Sequence, residues 1–264
     1  MLPKRLITSL VLISVIIATV FVDWLCGLLV TAFIIAGLYE FFTMLQMKGI
    51  SIYKYFGIGI GVIIPLSIIF RFELTKNWEL LFIMLAVLFL IFMQFRRRDS
   101  SGVIVGISTT LFGVFYISWF FSFLIKIRYL PGGIGLLFAV IMMTKLGDIG
   151  AYFIGSRFGK NLLLPRISPK KSVEGAIGGL FFSIVGAGLS QPFLNLPYLQ
   201  LFLIGISLGI LGQLGDLSES LIKRDCQVKD AGNILPGMGG ILDVMDSMLF
   251  TAPVFYFYMS TILK

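Results

Sequence analysis

Long apolar runs separated by short polar segments dominate the chain. A helix needs about 17–25 mainly apolar residues to cross a bilayer. Nine runs satisfy this, at residues 6–22, 24–45, 53–70, 79–95, 103–125, 134–154, 174–191, 199–222 and 244–263. We therefore predict an all-α fold, a polytopic transmembrane helical bundle of about nine spanning helices. The first run resembles a signal peptide but lacks a small-residue cleavage site, which favours a retained helix.

The composition supports a membrane protein. Of the 264 residues, 58% are hydrophobic and 13% are charged, and the mean hydropathy is +1.01. Soluble domains carry about 45–50% apolar and about 25% charged residues. The apolar excess is too large for one core of this size, so lipid must cover much of the surface.

The distribution of lysine and arginine predicts the orientation. With the N-terminus in the cytoplasm, fifteen of these residues lie in cytoplasmic segments, five lie outside and Lys145 lies within a span. Cytoplasmic loops carry the excess of positive residues, so we predict a multi-pass protein of the plasma (inner) membrane with its N-terminus inside. The net charge of +8 then reflects topology, and no nucleic-acid partner is expected.

Two absences limit the chemistry. The chain has no histidine, which excludes histidine-based triads and histidine-ligated metals. Cys26 and Cys226 are far apart in the sequence and form neither a disulfide framework nor a CxxC site. General-base work is left to carboxylates or lysine.

Polar residues of the C-terminal half concentrate around two longer cytoplasmic loops, at about 155–173 and 223–243. Loops held by a rigid scaffold often carry function. We therefore interpret residues 1–130 as a transmembrane scaffold and residues 131–264 as the catalytic region. Glycine pairs with GxxxG spacing, such as Gly175 and Gly179, predict close helix packing.

Several carboxylates lie inside or beside the apolar runs, where each costs about 2.5–3.5 kcal/mol at a helix centre. They are Asp148, Asp216, Glu219, Asp243 and Asp246. Glu40 can reach the interface and is given no role.

Spacing places Asp216, Glu219, Ser220 and Lys223 on one helical face. Converging carboxylates repel by roughly 3 kcal/mol per pair at ~5.5 Å, so a shared site would need a cation. Oxygen ligands without histidine or cysteine indicate Mg²⁺ or a similar divalent cation. The alternative is a set of loop salt bridges with nearby basic residues.

Basic residues add a candidate phosphate site. Arg166, Lys170 and Lys171 precede a predicted helix start, and helix N-termini with lysines bind phosphate. Gly239 and Gly240 let backbone N–H groups approach a ligand. Carboxylates for a divalent metal and lysines for phosphates together suit phosphoryl or nucleotidyl transfer.

Two gapped blocks carry a resemblance to a known family. One runs from Gly215-Asp216 through Lys223-Arg224, Lys229-Asp230 and Pro236–Gly240 to Asp243 and Asp246; the other joins Gly147–Tyr152 to Ile167–Gly175. Both resemble the phosphatidate cytidylyltransferase family from about Lys145 to Ser247. The family commonly has histidine at the position of Met238 and arginine at that of Val244.

The resemblance implies the reaction of CTP with phosphatidic acid, giving CDP-diacylglycerol and diphosphate. It implies Asp216, Asp243 and Asp246 as ligands of Mg²⁺, and it leaves room for an additional monovalent cation. It also implies a set of residues near the nucleotide or lipid phosphate, namely Lys223, Arg224, Lys229, Ser220, Asp230, Asp148, Lys170 and Lys171. Membrane lipids are the remaining expected partner, and a homodimer is compatible with the sequence.

Two alternatives stay open. The chain could be a related CTP-dependent lipid enzyme, such as a polyprenol kinase or a CDP-archaeol synthase, because lipid-facing residues are generically apolar. It could also be an ion-coupled transporter, since acids within spans mark ion pathways. A transporter would hold them near the midplane, whereas here they cluster at cytoplasmic ends.

Overall fold

The computed structural model describes residues 2–71, 78–95 and 101–263. Within these residues, nine long helices match the nine predicted runs to within four residues at either end. They are α1 (Leu2–Val20), α2 (Asp23–Met47), α3 (Lys54–Ile69), α4 (Trp78–Gln94), α5 (Val103–Arg128), α6 (Gly133–Phe158), α7 (Val173–Leu189), α8 (Tyr198–Asp225) and α9 (Leu242–Ile262). Arg96, Arg97, Arg98, Lys76 and Lys264, which were counted for the orientation, lie outside the described residues.

Four of these helices are long and apolar enough to cross a membrane, namely α2, α5, α6 and α8. Shorter apolar stretches occupy α1, α3, α4 and α7. The protein is therefore an all-helical membrane protein in its main architecture. The count of nine spans stays a prediction.

A small β-hairpin is the exception to the all-α prediction. Strand β1 (Leu162–Leu164) pairs antiparallel with β2 (Ser168–Ser172), in the segment predicted as a loop. The sequence gives little sign of it, because β2 contains Pro169 and two adjacent lysines rather than an apolar–polar alternation. The hairpin connects α6 to α7.

Glycines allow the helices to pack closely, as predicted from their spacing. A Cβ on Gly179 would lie 3.0 Å from the carbonyl oxygen of Gly147, and one on Gly205 would lie 2.8 Å from Cα of Ile184. These contacts bring α7 against both α6 and α8. The three helices thereby pack together beside the hairpin.

The main core lies where α2, α5, α6, α8 and α9 meet. Phe42, Ile117, Leu137 and Phe255 are fully buried there. By contrast, α1 and α4 expose many large apolar side chains, such as Leu10 and Phe92, which is the pattern of helix faces covered by lipid.

Candidate functional site

A cavity of about 490 Å³ lies between α6, the hairpin, α7 and α8. Four of the predicted site residues line it: Asp148, Lys170, Lys171 and Asp216. Its other lining residues include Tyr152, Ser156, Leu163, Ser168, Ser172, Gln213 and Leu217. The cavity therefore brings both of the resembling sequence blocks to one place.

The hairpin is held over the cavity by hydrogen bonds at both of its ends. Glu174, in the first turn of α7, accepts from the backbone N–H of Lys160 at 3.1 Å and from Nδ2 of Asn161 at 2.8 Å. Arg224 of α8 donates from Nε to the carbonyl oxygen of Ile167 at 3.2 Å. Arg224 thus contacts the hairpin backbone and does not line the cavity.

A lysine–aspartate pair crosses the cavity. Lys171 Nζ lies 2.6 Å from Asp216 Oδ1, joining β2 to α8, and both side chains keep part of their surface exposed. Lys170 is exposed beside them. Lysines in a partly enclosed space suit an anionic ligand, which can compete with the carboxylate of Asp216 for their charge.

A second polar network connects α6 with α9. Lys145 Nζ lies 2.9 Å from Asp148 Oδ2 and 3.0 Å from Ser247 Oγ, and it donates to the carbonyl oxygen of Val244 at 3.2 Å. Ser247 Oγ in turn donates to Asp148 Oδ2 at 2.9 Å. Asp148 therefore faces the cavity with its orientation fixed.

Asp246 lies close to this network. Its residue is 8% exposed, and its Oδ1 accepts the backbone N–H of Ser247 at 2.5 Å. The neighbour of Asp216, Gly215, packs so tightly on α9 that a Cβ would overlap the carbonyl oxygen of Asp246. We call Lys145, Asp148, Lys171, Asp216 and Asp246 the cavity cluster.

A second group of charges begins one helical turn further along α8, at Glu219. Lys223 pairs with Glu219, which is completely buried, and with Asp243 Oδ1 at 2.5 Å. Asp243 Oδ2 accepts the backbone N–H groups of Ala231 at 3.0 Å and Gly240 at 2.7 Å. Lys223 and Asp243 thus fasten the 226–241 segment to α8.

Glu40 of α2 also belongs to this group, although its place near the predicted membrane interface indicated no role. It is 3% exposed and accepts backbone N–H groups at the start of α9. No sequence signal marks it, because its partners are backbone atoms about 200 residues away. We call Glu40, Glu219, Lys223 and Asp243 the loop cluster.

The remaining predicted residues lie around the loop cluster rather than in the cavity lining. Lys229 and Asp230 are exposed on the 226–241 segment, and Ser220 is buried next to Glu219. Gly239 has a φ of +101°, and the N–H of Gly240 is already bonded to Asp243. Their role in substrate binding stays a prediction.

The two departures from the family pattern also lie outside the cavity lining. Val244 contributes its carbonyl oxygen to Lys145, a contact that any residue could make. Met238 Sδ lies 3.5 Å from Ser9 Oγ of α1.

The three predicted metal ligands are divided between the two clusters. Asp216 and Asp246 belong to the cavity cluster, while both oxygens of Asp243 are engaged in the loop cluster. Within the described residues, no group of three or more acidic or cysteine side chains forms a ready cage for a metal ion. The metal site stays a prediction.

Cysteine chemistry is disfavoured at this site as well. Cys226 follows α8 directly and is buried. Burial raises the pKa of its thiol, and the neighbouring carboxylate of Asp225 raises it further. A thiol of this kind is a poor nucleophile near neutral pH.

Fold and site together define a helical membrane protein whose polar cavity, lined by lysines and aspartates, suits a phosphate-bearing substrate. The sequence comparison identifies the group more narrowly. The chain belongs to the cytidylyltransferase family, whose pattern matches residues 3–262, and is thus a nucleotidyltransferase.

Its relatives include phosphatidate cytidylyltransferases from several bacteria. The protein of Thermotoga maritima is 33% identical, with 97% of this chain and 95% of that protein covered. The Synechocystis sp. protein is 32% identical, with 91% and 90% covered. The Bacillus subtilis protein is 47% identical over 148 residues, and that match spans about half of each chain, 55% in both cases.

Proposed function

We propose that the protein is a phosphatidate cytidylyltransferase that converts CTP and phosphatidic acid to CDP-diacylglycerol and diphosphate. The observation that carries the proposal is the cavity in which Lys170 and Lys171 meet Asp148 and Asp216. The names of the relatives support the choice of substrates.

The lysines of the hairpin are the proposed contacts of the CTP phosphates. Lys171 is paired with one carboxylate, that of Asp216. A triphosphate that enters the cavity would replace this carboxylate as the partner of Lys171, because it carries more negative charge. Lys170 adds a second, exposed cation on the same strand. The hairpin would in this way close one side of the nucleotide site.

The lipid is proposed to enter from the membrane side. Apolar and aromatic residues share the cavity lining with the charged ones, including Leu163, Leu217 and Tyr152, which is 79% exposed. Acyl chains can stay among such side chains while the phosphate head group reaches the lysines.

The transfer requires no protein nucleophile. A phosphate oxygen of phosphatidate forms a bond to the α-phosphorus of CTP, and the bond from that phosphorus to the α,β-bridging oxygen breaks. The electron pair leaves with diphosphate. The chain's own contribution is to align the two phosphates and to balance their charge through Lys170 and Lys171.

Asp216 and Asp246 are the proposed protein ligands of a divalent cation. Mg²⁺ commonly binds one or two carboxylates and completes its shell with substrate phosphates and water, which fits a cavity without a three-acid cage. When bound, Mg²⁺ would neutralise charge on the phosphates. Asp243 would act mainly through the loop that it fastens.

Two ion pairs support the proposed nine-span topology, and the excess of lysine and arginine on the cavity side favours a cavity facing the cytoplasm of the inner membrane. Lys48 and Asp225, at the ends of α2 and α8, lie 2.5 Å apart. Asp23 and Arg128, at the start of α2 and the end of α5, are also 2.5 Å apart. Each pair joins helix ends that a nine-span arrangement puts on one side. A homodimer stays a prediction.

The direct test is diphosphate release by the purified protein in lipid nanodiscs. We expect release only when CTP, phosphatidic acid and Mg²⁺ are all present, and its loss with EDTA followed by recovery with excess Mg²⁺. Polyprenol and archaeol phosphate acceptors distinguish the related lipid enzymes. Diphosphate release with one of those acceptors and none with phosphatidic acid would reject the proposal.

A further inference from the structure

The start of α9 lacks a capping side chain of its own. The residue before the helix is Ile241, which has no side-chain oxygen, and it makes no side-chain cap hydrogen bond. The first N–H groups of a helix have no partner within the helix and need one elsewhere. In α9 these N–H groups lie next to Asp243 and Asp246, two of the predicted site residues.

Glu40 supplies that partner from α2. The backbone N–H of Ile241 donates to Glu40 Oε1 at 3.1 Å, and that of Leu242 donates to Oε2 at 2.9 Å. The carboxylate is almost fully buried. A negative charge at a helix N-terminus also interacts favourably with the helix dipole.

Two glycines make room for this carboxylate. A Cβ on Gly232 or Gly240 would overlap the carboxylate atoms of Glu40. The 226–241 segment therefore wraps around Glu40 with glycines at its two closest approaches. This contact explains Gly240 without any ligand.

Together, two carboxylates satisfy four backbone N–H groups around the start of α9. Asp243 accepts the N–H groups of Ala231 and Gly240. Glu40 accepts the N–H groups of Ile241 and Leu242. The position of Glu40 therefore fixes where α9 begins. Because Asp243 and Asp246 lie in the first two turns of α9, it also fixes their position along the helix axis.

We propose that Glu40 is a positioning residue for the transfer reaction, capping α9 from the N-terminal part of the chain. This inference rests on the proposed function for its kinetic part only. The capping itself is a property of the fold and has a readout of its own.

The test compares Glu40→Gln with Glu40→Asp in the full-length protein in nanodiscs. Glutamine keeps the size but loses the charge and turns an N–H donor toward one of the two helix N–H groups. We expect hydrogen exchange in the peptide covering residues 232–245 to become at least ~10-fold faster. We also expect kcat to fall about tenfold or more. Glu40→Asp should retain part of the exchange protection and part of kcat.

The matched control is Asp23→Asn on the same helix. It removes a carboxylate from the opposite end of α2, where Asp23 pairs with Arg128. It should leave both the 232–245 exchange and kcat unchanged.

The possible outcomes separate the capping from the catalytic proposal. Unchanged exchange in Glu40→Gln would refute the cap, and faster exchange with an unchanged kcat would refute the positioning role. Faster exchange throughout α6 and α8 would indicate general destabilisation, and this result would also refute the positioning role. A wild-type protein without transferase activity would reject the proposed function while the exchange data still decide the cap.

Discussion

The cavity cluster and the loop cluster use the same residue types for different purposes. In the cavity cluster, Lys171 pairs with Asp216, whose side chain is partly exposed beside a cavity of about 490 Å³, while the nitrogen of Lys171 itself is buried. In the loop cluster, Lys223 is buried between Glu219 and Asp243, and the carboxylates of Asp243 and Glu40 also bind backbone N–H groups. The cavity cluster borders open space, whereas the loop cluster is enclosed by protein; within the described residues, neither oxygen of Glu219 accepts a hydrogen bond, although Glu219 pairs with Lys223.

Residues of one sequence motif therefore occupy different environments in the fold. The motif around α8 and α9 contains Asp216 and Asp243, yet the structure turns them to different neighbours. Breaking a buried charge pair is costly, because the remaining charge is left without a partner. Substitutions in the two clusters should therefore differ in their effect on stability.

The largest contrast is expected between Asp216→Asn and Asp243→Asn. Both should abolish turnover, with kcat at least ~10²-fold lower. Asp216→Asn should lower the Tm less than Asp243→Asn, because its side chain is partly exposed and asparagine still offers an oxygen to the buried nitrogen of Lys171. Asp243→Asn should lower stability by roughly 1–3 kcal/mol, because the N–H groups of Ala231 and Gly240 lose their charged acceptor while Lys223 keeps Glu219 as a partner.

Thermal unfolding and the diphosphate assay on the same preparations measure this contrast. Equal Tm values for the two variants would remove the distinction between the clusters. Full activity in both would reject the assignment of these aspartates to the reaction.

A second contrast concerns the basic residues of the hairpin segment. Lys171→Gln should raise the KM for CTP by about 10–100-fold, since a charge-assisted phosphate contact contributes about 1.5–3 kcal/mol. Lys160→Gln is the control, because Lys160 is exposed on the same segment but does not line the cavity. Initial rates over a range of CTP concentrations give both values. Similar KM values in the two variants would argue against a nucleotide site at the hairpin.

A third contrast tests the packing that brings Asp216 near Asp246. Gly215→Ala should destabilise the protein by about 1–3 kcal/mol, because the added methyl group meets the backbone of α9. Gly188→Ala is matched to it, since a Cβ there has no neighbour within 4 Å. Its Tm should equal or slightly exceed that of the unaltered protein. A stable Gly215→Ala protein would show that α8 and α9 are less tightly packed than described.

The smallest effect is expected at the surface. Asp225→Asn breaks the ion pair between Asp225 and Lys48. Both side chains of this pair are substantially exposed. Pairs of this kind contribute about 0–1 kcal/mol. The Tm should therefore change little, in contrast to Asp243→Asn.

The sequence predicted the helices well, because an apolar run of membrane length allows few other structures. It also selected the four cavity residues Asp148, Lys170, Lys171 and Asp216, since buried carboxylates and clustered lysines are unusual enough to stand out.

Other features could not be predicted in this way. The hairpin has no apolar–polar alternation, and the partners of Glu40 are backbone N–H groups that no residue pattern reveals. The division of Asp216 and Asp243 between two clusters depends on side-chain orientation, which helical spacing alone does not determine.

The most direct test is an experimental structure of the protein with Mg²⁺ and a non-hydrolysable CTP analogue. We expect the triphosphate in the cavity beside α6, within hydrogen-bond distance of Lys171, with Asp216 released from Lys171 toward the metal. A triphosphate bound on the 226–241 segment, with the Lys171–Asp216 pair intact, would contradict it.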